Sequence, residues 1–491
     1  MSAPVRAIVI VEALRRAGLL VAVRGVLPDT LRDITSDSRN VGEGTLFVAV
    51  QGSARDGHEF LPTVAERGAS AAIVSTDGSS PLPHIVVSDS RRAVAVAAAA
   101  WYGDPAAQLK LVGVTGTNGK TTSASMLRHL LSTDAAPAAS IGTLGVLVGS
   151  EGRVLPGGSG LTTPGPIELQ QLLRSLVSAG VRWVAMEASS HALDQHRLDG
   201  LCFSAALFTN FTRDHLDYHG SMQAYFAAKA MLLDLLTDDG HVITNADDPA
   251  WADLPATPHH RLRFSAAATV ADVYARRTEF TPVGSTFSLH APATDPVKVQ
   301  LPLLGDFQVE NAVGVAAVAV ALGIPLTVIA ARLSSMPQVS GRLERLSTTP
   351  AVLRDYANTP DALERALQSV RPFAKGKVIV VFGAGGDRDR GKRPEMGRVA
   401  SELADVCIVT SDNPRTEDPE RILDDIVAGM PIEKVLREED RRQAITLAID
   451  LATADDLVLL AGKGHETYQI RGTTSYPFDE AQIVAELTAA R

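Results

Sequence analysis

Cysteine is nearly absent from this chain. Only Cys202 and Cys407 occur among the 491 residues, and both lie in apolar segments that we expect to be strands. Two such residues indicate reduced core side chains in a cytoplasmic protein and exclude a disulfide-stabilised scaffold. An excess of basic residues is also missing: the net charge is −10, and no Lys/Arg stripe offsets it. This composition argues against a general nucleic-acid binder.

A long, uninterrupted hydrophobic run is missing as well. The longest uncharged stretch, residues 311–331, is rich in alanine and contains Gly323 and Pro325. We therefore expect a buried helix followed by a turn there, not a membrane span. The N-terminal residues lack the ordered regions of a secretory signal. We expect a cytoplasmic monomer with neither membrane nor nucleic-acid partners.

The length and the alternation of strand and helix patterns predict three α/β domains of roughly 100–200 residues each. We place them at residues 1–105, 106–340 and 341–491. The first is a small α/β module, the second a doubly wound parallel sheet with a phosphate-binding loop, and the third a Rossmann-like α/β domain. The loop at residues 383–386 fails the dinucleotide pattern because Arg388 replaces its last glycine, which argues against a nicotinamide or flavin cofactor.

The most informative segment runs from Gly113 to Lys120 and reads GVTGTNGK, followed by two threonines. Backbone N–H groups of such a loop surround phosphate oxygens, the lysine reaches the β- and γ-phosphates, and the hydroxyl of Thr121 can bind Mg²⁺. Val114 stands where the common pattern has its first glycine, and Gly116 supplies the glycine instead. The segment predicts nucleoside triphosphate binding but not its purpose.

Other polar residues follow predicted strands of the same domain. Glu187 ends an apolar strand, where a carboxylate can hold Mg²⁺ opposite the loop threonine. The segment 209–219 contains two histidines and two aspartates, which favours a metal- or phosphate-handling loop. Lys229 falls in an amphipathic helix predicted over residues 224–233, where a lysine is usually a surface side chain.

Six motifs resemble those of one known family, and they follow one another along the chain in the same order. TGTNGKTT, MEASSH, NFTRDHLDYHG, GDFQVENA, GRLE and DYANTPDALE occur in the order found in Mur ligases, the ATP-dependent amide-forming enzymes of peptidoglycan synthesis. The resemblance covers all three domains. It implies ATP and two Mg²⁺ ions as cofactors, and a reaction through an acyl phosphate.

The resemblance also implies residue roles. The catalytic residues would be Lys120, Glu187, His215, Lys229 and Arg342. The ATP-binding residues would be Gly116, Thr117, Asn118, Gly119, Lys120, Thr121, Thr122, Asn311, Arg342 and Asp355. Thr121 and Glu187 would hold one Mg²⁺, and His215 and Lys229 the second, with the lysine as an N-carbamate. Two positions depart from the family pattern. Asn358 stands where the family commonly has histidine, and Gln308 stands where it has asparagine. The change at position 358 puts its role on the nucleotide side in doubt.

The third domain contains a substrate signature. Asp412, Asn413, Pro414 and Arg415 resemble the DNPR signature of family members that add diaminopimelate, whose distal carboxylate an arginine can bind in a bidentate pair. Arg388, Gly462 and Glu466 match further diaminopimelate-binding positions. The small-molecule partners would be meso-diaminopimelate, ATP and UDP-N-acetylmuramoyl-L-Ala-D-Glu. The residues implied for the UDP substrate are Ser36, Ser38, the segment 53–55, Thr162, Thr163, Ser189, Gln195 and Arg197.

Three alternatives stay open at this point. A related ligase could add L-lysine or another amino acid, and a folylpolyglutamate-synthetase-like ligase uses a similar scaffold. An NTP-driven switch needs the phosphate loop but neither Lys229 nor Arg415. The Arg388 and Arg415 positions disfavour the first two alternatives.

Overall fold

The computed structural model describes residues 4–52, 55–78, 80–157, 160–267, 270–431 and 435–489. Its contacts divide the chain into two compact units. The first unit comprises Met1–Tyr274, His290–Asp295 and Asn311–Ile329, and the second comprises Ala275–Leu289, Pro296–Glu310 and Ala330–Arg491. The domain limits drawn from the sequence remain predictions. No helix within the described ranges combines the length and apolarity needed to cross a bilayer.

The N-terminal part of the first unit is a small α/β module. Its strands are β1 (Val5–Arg6), β2 (Leu20–Arg24), β3 (Thr30–Leu31), β4 (Asp33–Thr35), β5 (Thr45–Val48), β6 (Ala69–Val74) and β7 (His84–Val87), and its helices α1 (Ala7–Arg16), α2 (Leu61–Glu66) and α3 (Ser90–Trp101). The main sheet has the order β2-β7-β6-β5-β4, and α3 begins where Asp89 accepts hydrogen bonds from two backbone amides.

The rest of the first unit is built on a mostly parallel sheet. Its strands are β8 (Lys110–Thr115), β9 (Ala138–Gly142), β10 (Gly145–Val148), β11 (Arg153–Leu155), β12 (Trp183–Glu187), β13 (Phe203–Phe208), β14 (Leu236–Asn245), β15 (His260–Ser265) and the start of β16 (Val273–Thr281). The helices are α4 (Lys120–Leu131), α5 (Pro166–Ser178), α6 (Ser190–Asp194), α7 (Leu216–His219), α8 (Met222–Ala230) and most of α9 (Asp306–Ala321). The order β9-β12-β8-β13-β14-β15 is parallel, which confirms the doubly wound prediction.

The second unit contains another parallel sheet. Its elements are β17 (Gly284–His290), β18 (Val297–Leu301), α10 (Leu326–Ser334), β19 (Glu344–Thr348), β20 (Ala351–Asp355), α11 (Pro360–Val370), β21 (Val378–Phe382), α12 (Lys392–Leu403), β22 (Val406–Val409), α13 (Pro419–Val427), β23 (Val435–Arg437), α14 (Arg441–Leu451), β24 (Leu457–Ala461), β25 (Tyr468–Arg471), β26 (Thr474–Pro477) and α15 (Glu480–Ala489). The order is β19-β20-β24-β21-β22-β23, with β19 antiparallel at the edge. The carboxyl ends of β20, β24, β21 and β22 thus share one edge, where α/β sheets bind ligands.

Burial overturns two expectations. Cys202 is exposed just before β13, whereas Cys407 lies buried in β22 as predicted. Lys229 is not a surface side chain, because α8 turns it inward and leaves it only 1% exposed. The uncharged stretch does form helices α9 and α10, separated by Gly323 and Pro325 as expected.

Candidate active site

The phosphate loop joins β8 to α4 in the first unit. Gly116 has φ +144°, and a Cβ there would lie 1.9 Å from Oγ1 of Thr209, so only glycine fits. The segment after β13 holds the loop in place: Oγ1 of Thr209 donates to the Asn118 carbonyl (2.6 Å), and Oδ1 of Asn210 accepts from the Asn118 amide (2.8 Å). The N-terminus of α4 therefore opens onto a preformed loop, as anion binding requires.

Two lysines meet at this loop. Nζ of Lys120 donates to the carbonyl oxygens of Gly116 (2.9 Å) and Thr117 (2.8 Å). Nζ of Lys229 donates to the same Gly116 carbonyl at 2.7 Å and lies 4.3 Å from the centroid of the Tyr225 ring. Burial and the nearby Lys120 ammonium hold the pKa of Lys229 well below its usual 10.5.

Glu187 supplies the acidic side of the loop. It ends β12, is 1% exposed, and its Oε2 accepts a hydrogen bond from Oγ1 of Thr121 at 3.1 Å. Its Oε1 accepts from the Thr143 amide at 2.8 Å. Gly142 permits this approach, since a Cβ there would lie 2.0 Å from Oε1. The structure thus places Glu187 opposite Thr121, the Mg²⁺ role of the pair stays a prediction, and Thr143 is a neighbour that sequence reasoning missed.

His215 immediately precedes α7 and lies beside a cluster of aromatic rings. Its φ is +52°, and its ring packs edge-on against His191, with centroids 4.7 Å apart. Burial lowers the pKa of His215 and is also the main reason why the pKa of His191 falls to about 4. Both imidazoles are thereby biased towards the neutral form that can bind a metal ion.

The residues implied for the UDP substrate form a connected network next to Glu187. Oγ1 of Thr163 donates to the Glu187 carbonyl (2.7 Å) and to Oγ of Ser189 (3.0 Å). Nη1 of Arg197 donates to the Thr163 carbonyl (2.9 Å), and its Nη2 to Oε1 of Gln195 (2.6 Å).

Four other residues implied by the resemblance also lie in the first unit. Oγ1 of Thr162 lies 3.2 Å from Oγ1 of Thr143, the neighbour of Glu187. Asn311 lies beside the phosphate loop, since a Cβ on Gly119 would be 2.3 Å from its Oδ1. Ser36 is exposed and Ser38 begins a short 3-10 turn after β4, while residues 53 and 54 of the implied segment lie outside the described residues.

Arg342 and Asp355 come together in the second unit. Oδ2 of Asp355 accepts from the Leu343 amide at 2.7 Å, and the Arg342 guanidinium stacks on the Tyr356 ring, 5.0 Å from its centroid. Burial raises the pKa of Asp355 to about 6, against the opposing charge of Arg342. Asn358, the departure from the family pattern, accepts a hydrogen bond from Nζ of Lys392 through its backbone carbonyl (2.7 Å).

Two arginines implied for diaminopimelate lie on neighbouring loops of the same unit. A Cβ on Gly385 would lie 2.9 Å from Nη1 of Arg415 and 3.7 Å from Cγ of Arg388. Arg415 has φ +52° and donates from Nη1 to the Gly386 carbonyl at 2.8 Å. The structure therefore brings Nη1 of Arg415 and the aliphatic stem of Arg388 to the same glycine at the ends of β21 and β22, while Nη1 of Arg388 donates to the Asp387 carbonyl at 3.2 Å.

The acidic residues of the same set lie at the ends of β22 and β24. Glu466 accepts through Oε2 from Nδ2 of Asn413 (2.8 Å) and from Nζ of the buried Lys463 (3.2 Å). Oδ2 of Asp412 is buried and receives no hydrogen bond from the described residues. Gly462 gives this oxygen room, because a Cβ there would be 2.6 Å away. A buried, unsatisfied carboxylate oxygen is a ready acceptor for an ammonium group.

Known protein families and curated relatives match almost the whole chain. The Mur ligase family catalytic domain matches residues 30–108, the Mur ligase middle domain residues 114–319, and the glutamate ligase domain residues 341–464. The UDP-N-acetylmuramoyl-L-alanyl-D-glutamate–2,6-diaminopimelate ligase of Gloeobacter violaceus is 43% identical over 487 residues, covering 98% of each chain.

The chain belongs to the Mur ligase family.

Solved structures of Mur ligases and their relatives share the fold. A solved UDP-N-acetylmuramoyl-L-alanyl-D-glutamate–2,6-diaminopimelate ligase is 32% identical, has a TM-score of 0.68 and covers 96% of this chain and 97% of its own. The folylpolyglutamate synthase of Mycobacterium tuberculosis has a TM-score of 0.65 at 18% identity, covering 76% of this chain and 92% of its own. The second likeness shows a common fold only. As a Mur ligase, the chain uses ATP.

Within the described part of this Mur ligase, no three His, Cys, Asp or Glu side chains cluster as a ready-made metal cage. Mg²⁺ does not need one, since it commonly binds through one or two carboxylates, water and substrate phosphates. The carboxylate of Glu187 and the hydroxyl of Thr121 are hard oxygen donors of the required kind. The residues present therefore fit a magnesium ion shared with a nucleotide.

Proposed function

We propose that this chain is a cytoplasmic, ATP-dependent ligase that adds meso-diaminopimelate to the D-Glu residue of UDP-N-acetylmuramoyl-L-Ala-D-Glu. The observation that carries the proposal is the charge arrangement at the ends of β21, β22 and β24. Arg388 and Arg415 both approach Gly385 from neighbouring loops, and two carboxylates, of Asp412 and Glu466, lie on the adjoining loops. Cations for a distal carboxylate and anions for a distal ammonium suit one zwitterionic end of diaminopimelate.

The proposed chemistry has two steps. A carboxylate oxygen of the D-Glu side chain attacks the γ-phosphorus of ATP, the bond from that phosphorus to the β,γ-bridging oxygen breaks, and ADP leaves. The amine nitrogen of diaminopimelate then attacks the acyl carbon and loses a proton, and the carbon–oxygen bond to phosphate breaks. Such phosphoryl transfer depends on positioning and charge neutralisation more than on a protein nucleophile.

The phosphate loop residues supply that positioning in the proposal. The backbone N–H groups at the N-terminus of α4 bind phosphate oxygens, and Lys120 exchanges its hydrogen bonds to loop carbonyls for bonds to phosphate. Thr121 and Glu187 would hold one Mg²⁺, and His215 and Lys229 a second. When bound, Mg²⁺ neutralises negative charge on the transferring phosphate.

Lys229 requires a change of charge to bind a cation. Its buried environment favours the neutral amine. A neutral amine can attack carbon dioxide and lose a proton, giving the anionic N-carbamate that the family resemblance implies. This step also leaves the Lys120 ammonium as the one cation hydrogen-bonded to the Gly116 carbonyl.

Substrate-dependent phosphate release tests the proposal. Purified protein is incubated with ATP, Mg²⁺, UDP-N-acetylmuramoyl-L-Ala-D-Glu and one amine, either meso-diaminopimelate, LL-diaminopimelate, L-lysine or L-ornithine. We expect turnover to be greatest with meso-diaminopimelate and to require every other component. Robust turnover with L-lysine and none with diaminopimelate would refute the substrate assignment. ATP hydrolysis indifferent to both substrates would favour an NTP-driven switch.

A further inference from the structure

A buried ion pair joins the two loops that carry Arg388 and Arg415. Neither the family resemblance nor the relatives' names assign it a role. Two segments are concerned: the glycine loop, residues 383–390 after β21, and the arginine loop, residues 411–418 after β22. Arg393, at the start of α12, is 0% exposed. Its Nη2 and Nη1 donate to Oε1 (2.9 Å) and Oε2 (3.1 Å) of Glu417, which belongs to the arginine loop.

Glu417 joins this arginine to the glycine loop as well. Its Oε1 accepts from the Asp387 amide at 2.6 Å, and its Oε2 from Nη2 of Arg390 at 2.9 Å. Nη2 of Arg393 also reaches the Gly385 carbonyl at 3.4 Å. The hydrogen bonds from Arg393 are the main cause of a Glu417 pKa of about 2, so the carboxylate stays charged at every physiological pH.

Hydrogen bonds also join the glycine loop directly to the arginine loop, close to Arg388 and Arg415. The Gly386 amide donates to the Asn413 carbonyl (2.9 Å), and Oγ1 of Thr416 donates to Oδ1 of Asp387 (2.8 Å). A Cβ on Gly386 would lie 1.8 Å from the Pro414 carbonyl oxygen, so the backbones touch. Arg415 lies two residues before Glu417, within the stretch that these bonds fix.

We propose that Arg393 and Glu417 are positioning residues for amine selection: their ion pair locks the glycine and arginine loops together so that Arg388 and Arg415 meet one carboxylate. This inference rests on the proposed function, because it assumes that the carboxylate belongs to diaminopimelate. Neither positioning residue needs to touch the substrate. A bidentate grip requires two donors at fixed spacing, and a misplacement of about 1 Å can cost on the order of 100-fold in rate.

The chain offers a matched control. Nη1 of Arg393 donates to Oδ2 of Asp425 at 2.8 Å, and Asp425 lies in α13, outside both loops. Asp425→Asn removes an ion-pair partner from the same arginine without cutting the connection between the loops. Glu417→Gln weakens it, because the amide has no charge and only one acceptor oxygen for the donors that the carboxylate binds on Arg390, Arg393 and the Asp387 backbone. A purely structural role predicts similar effects of the two substitutions, whereas a positioning role predicts different ones.

The test compares wild type, E417Q and D425N in two assays. Positional isotope exchange in ATP with the UDP-dipeptide and no amine reports the first chemical step, and steady-state turnover gives KM for meso-diaminopimelate. For E417Q we expect KM for diaminopimelate to rise about tenfold or more, with isotope exchange unchanged within about twofold. D425N should match wild type in both assays.

Several outcomes would overturn the inference. These are equal effects of E417Q and D425N, an unchanged KM in E417Q, or a loss of isotope exchange in E417Q as large as its loss of turnover. If E417Q does not fold, Thr416→Val at an exposed position must raise the same KM selectively, and an unchanged KM refutes the inference. A wild type that uses L-lysine but not diaminopimelate refutes the proposed function itself, a result distinct from all of these.

Discussion

Replacing Gly142 by alanine should displace the carboxylate on which the first magnesium site depends. A Cβ at this position would lie 2.0 Å from Oε1, 2.6 Å from Cδ and 2.7 Å from Cγ of Glu187. Non-bonded heavy atoms sit at about 3.5–4.0 Å, so the carboxylate must retreat by more than about 1 Å. Gly142 ends β9 without a positive φ, so alanine strains no backbone there.

The expected cost follows from that displacement. A shift of about 1 Å in a catalytic group can lower the rate by on the order of 100-fold, equivalent to about 2.7 kcal/mol of transition-state stabilisation. Glu187 should also lose its hydrogen bond from the Thr143 amide. We expect G142A to need more Mg²⁺ for half-maximal turnover and to have a lower kcat at saturating Mg²⁺.

Isotope exchange in ATP and phosphate release, each measured across a Mg²⁺ titration, are the assays. Gly42→Ala is the matched control, since a Cβ there meets no atom within 4 Å and the residue has no positive φ. Circular dichroism establishes that both variants are folded. A folded G142A with wild-type Mg²⁺ dependence and a rate within about threefold of wild type would refute the role given to Glu187.

Three further predictions concern buried charges. Lys229→Met should lower turnover by about 100-fold or more. The fold lowers the pKa of Lys229, so the wild-type free energy of unfolding should rise with pH up to about 10.5. Thermal melts at several pH values should show this rise in the wild type and not in the variant. Asp355→Asn should gain stability relative to wild type as pH rises from about 4 to about 6, because the raised pKa makes ionisation costly in the fold, and denaturant titrations at each pH would measure it. Arg441 and Glu480 form a fully buried ion pair, and Glu480→Gln removes the charge that balances Arg441. We expect this change to lower the free energy of unfolding, measured with denaturant, by about 3–5 kcal/mol. An R441M/E480L double variant should recover much of that loss.

The sequence predicted those features that depend on local pattern. Glycines at 116 and 119 lie in the predicted phosphate loop, and Glu187 follows an apolar run that could only be a buried strand. Because parallel strands end at a common edge, residues after different strands were expected to meet, and the pairing of Thr121 with Glu187 confirms this.

The remaining features depend on packing between distant segments. Thr143 and Asn210 contact the site through hydrogen bonds whose partners are 44 and 92 residues away in the chain, and no local pattern marks them. Lys229 was expected at the surface because a helical pattern shows which face is polar, not whether a loop covers that face. No motif links Arg393 to Glu417, which are 24 residues apart, and only the structure places them together.

The shared carbonyl of Gly116 gives this protein a link between nucleotide binding and protons. Two lysine side chains share this oxygen, and burial together with the Lys120 charge lowers the pKa of Lys229. An arriving triphosphate reverses that balance, because its negative charge favours the protonated amine. Protein whose Lys229 carries no carbamate should therefore take up a proton as it binds ATP, so its calorimetric binding heat should vary with the ionisation enthalpy of the buffer.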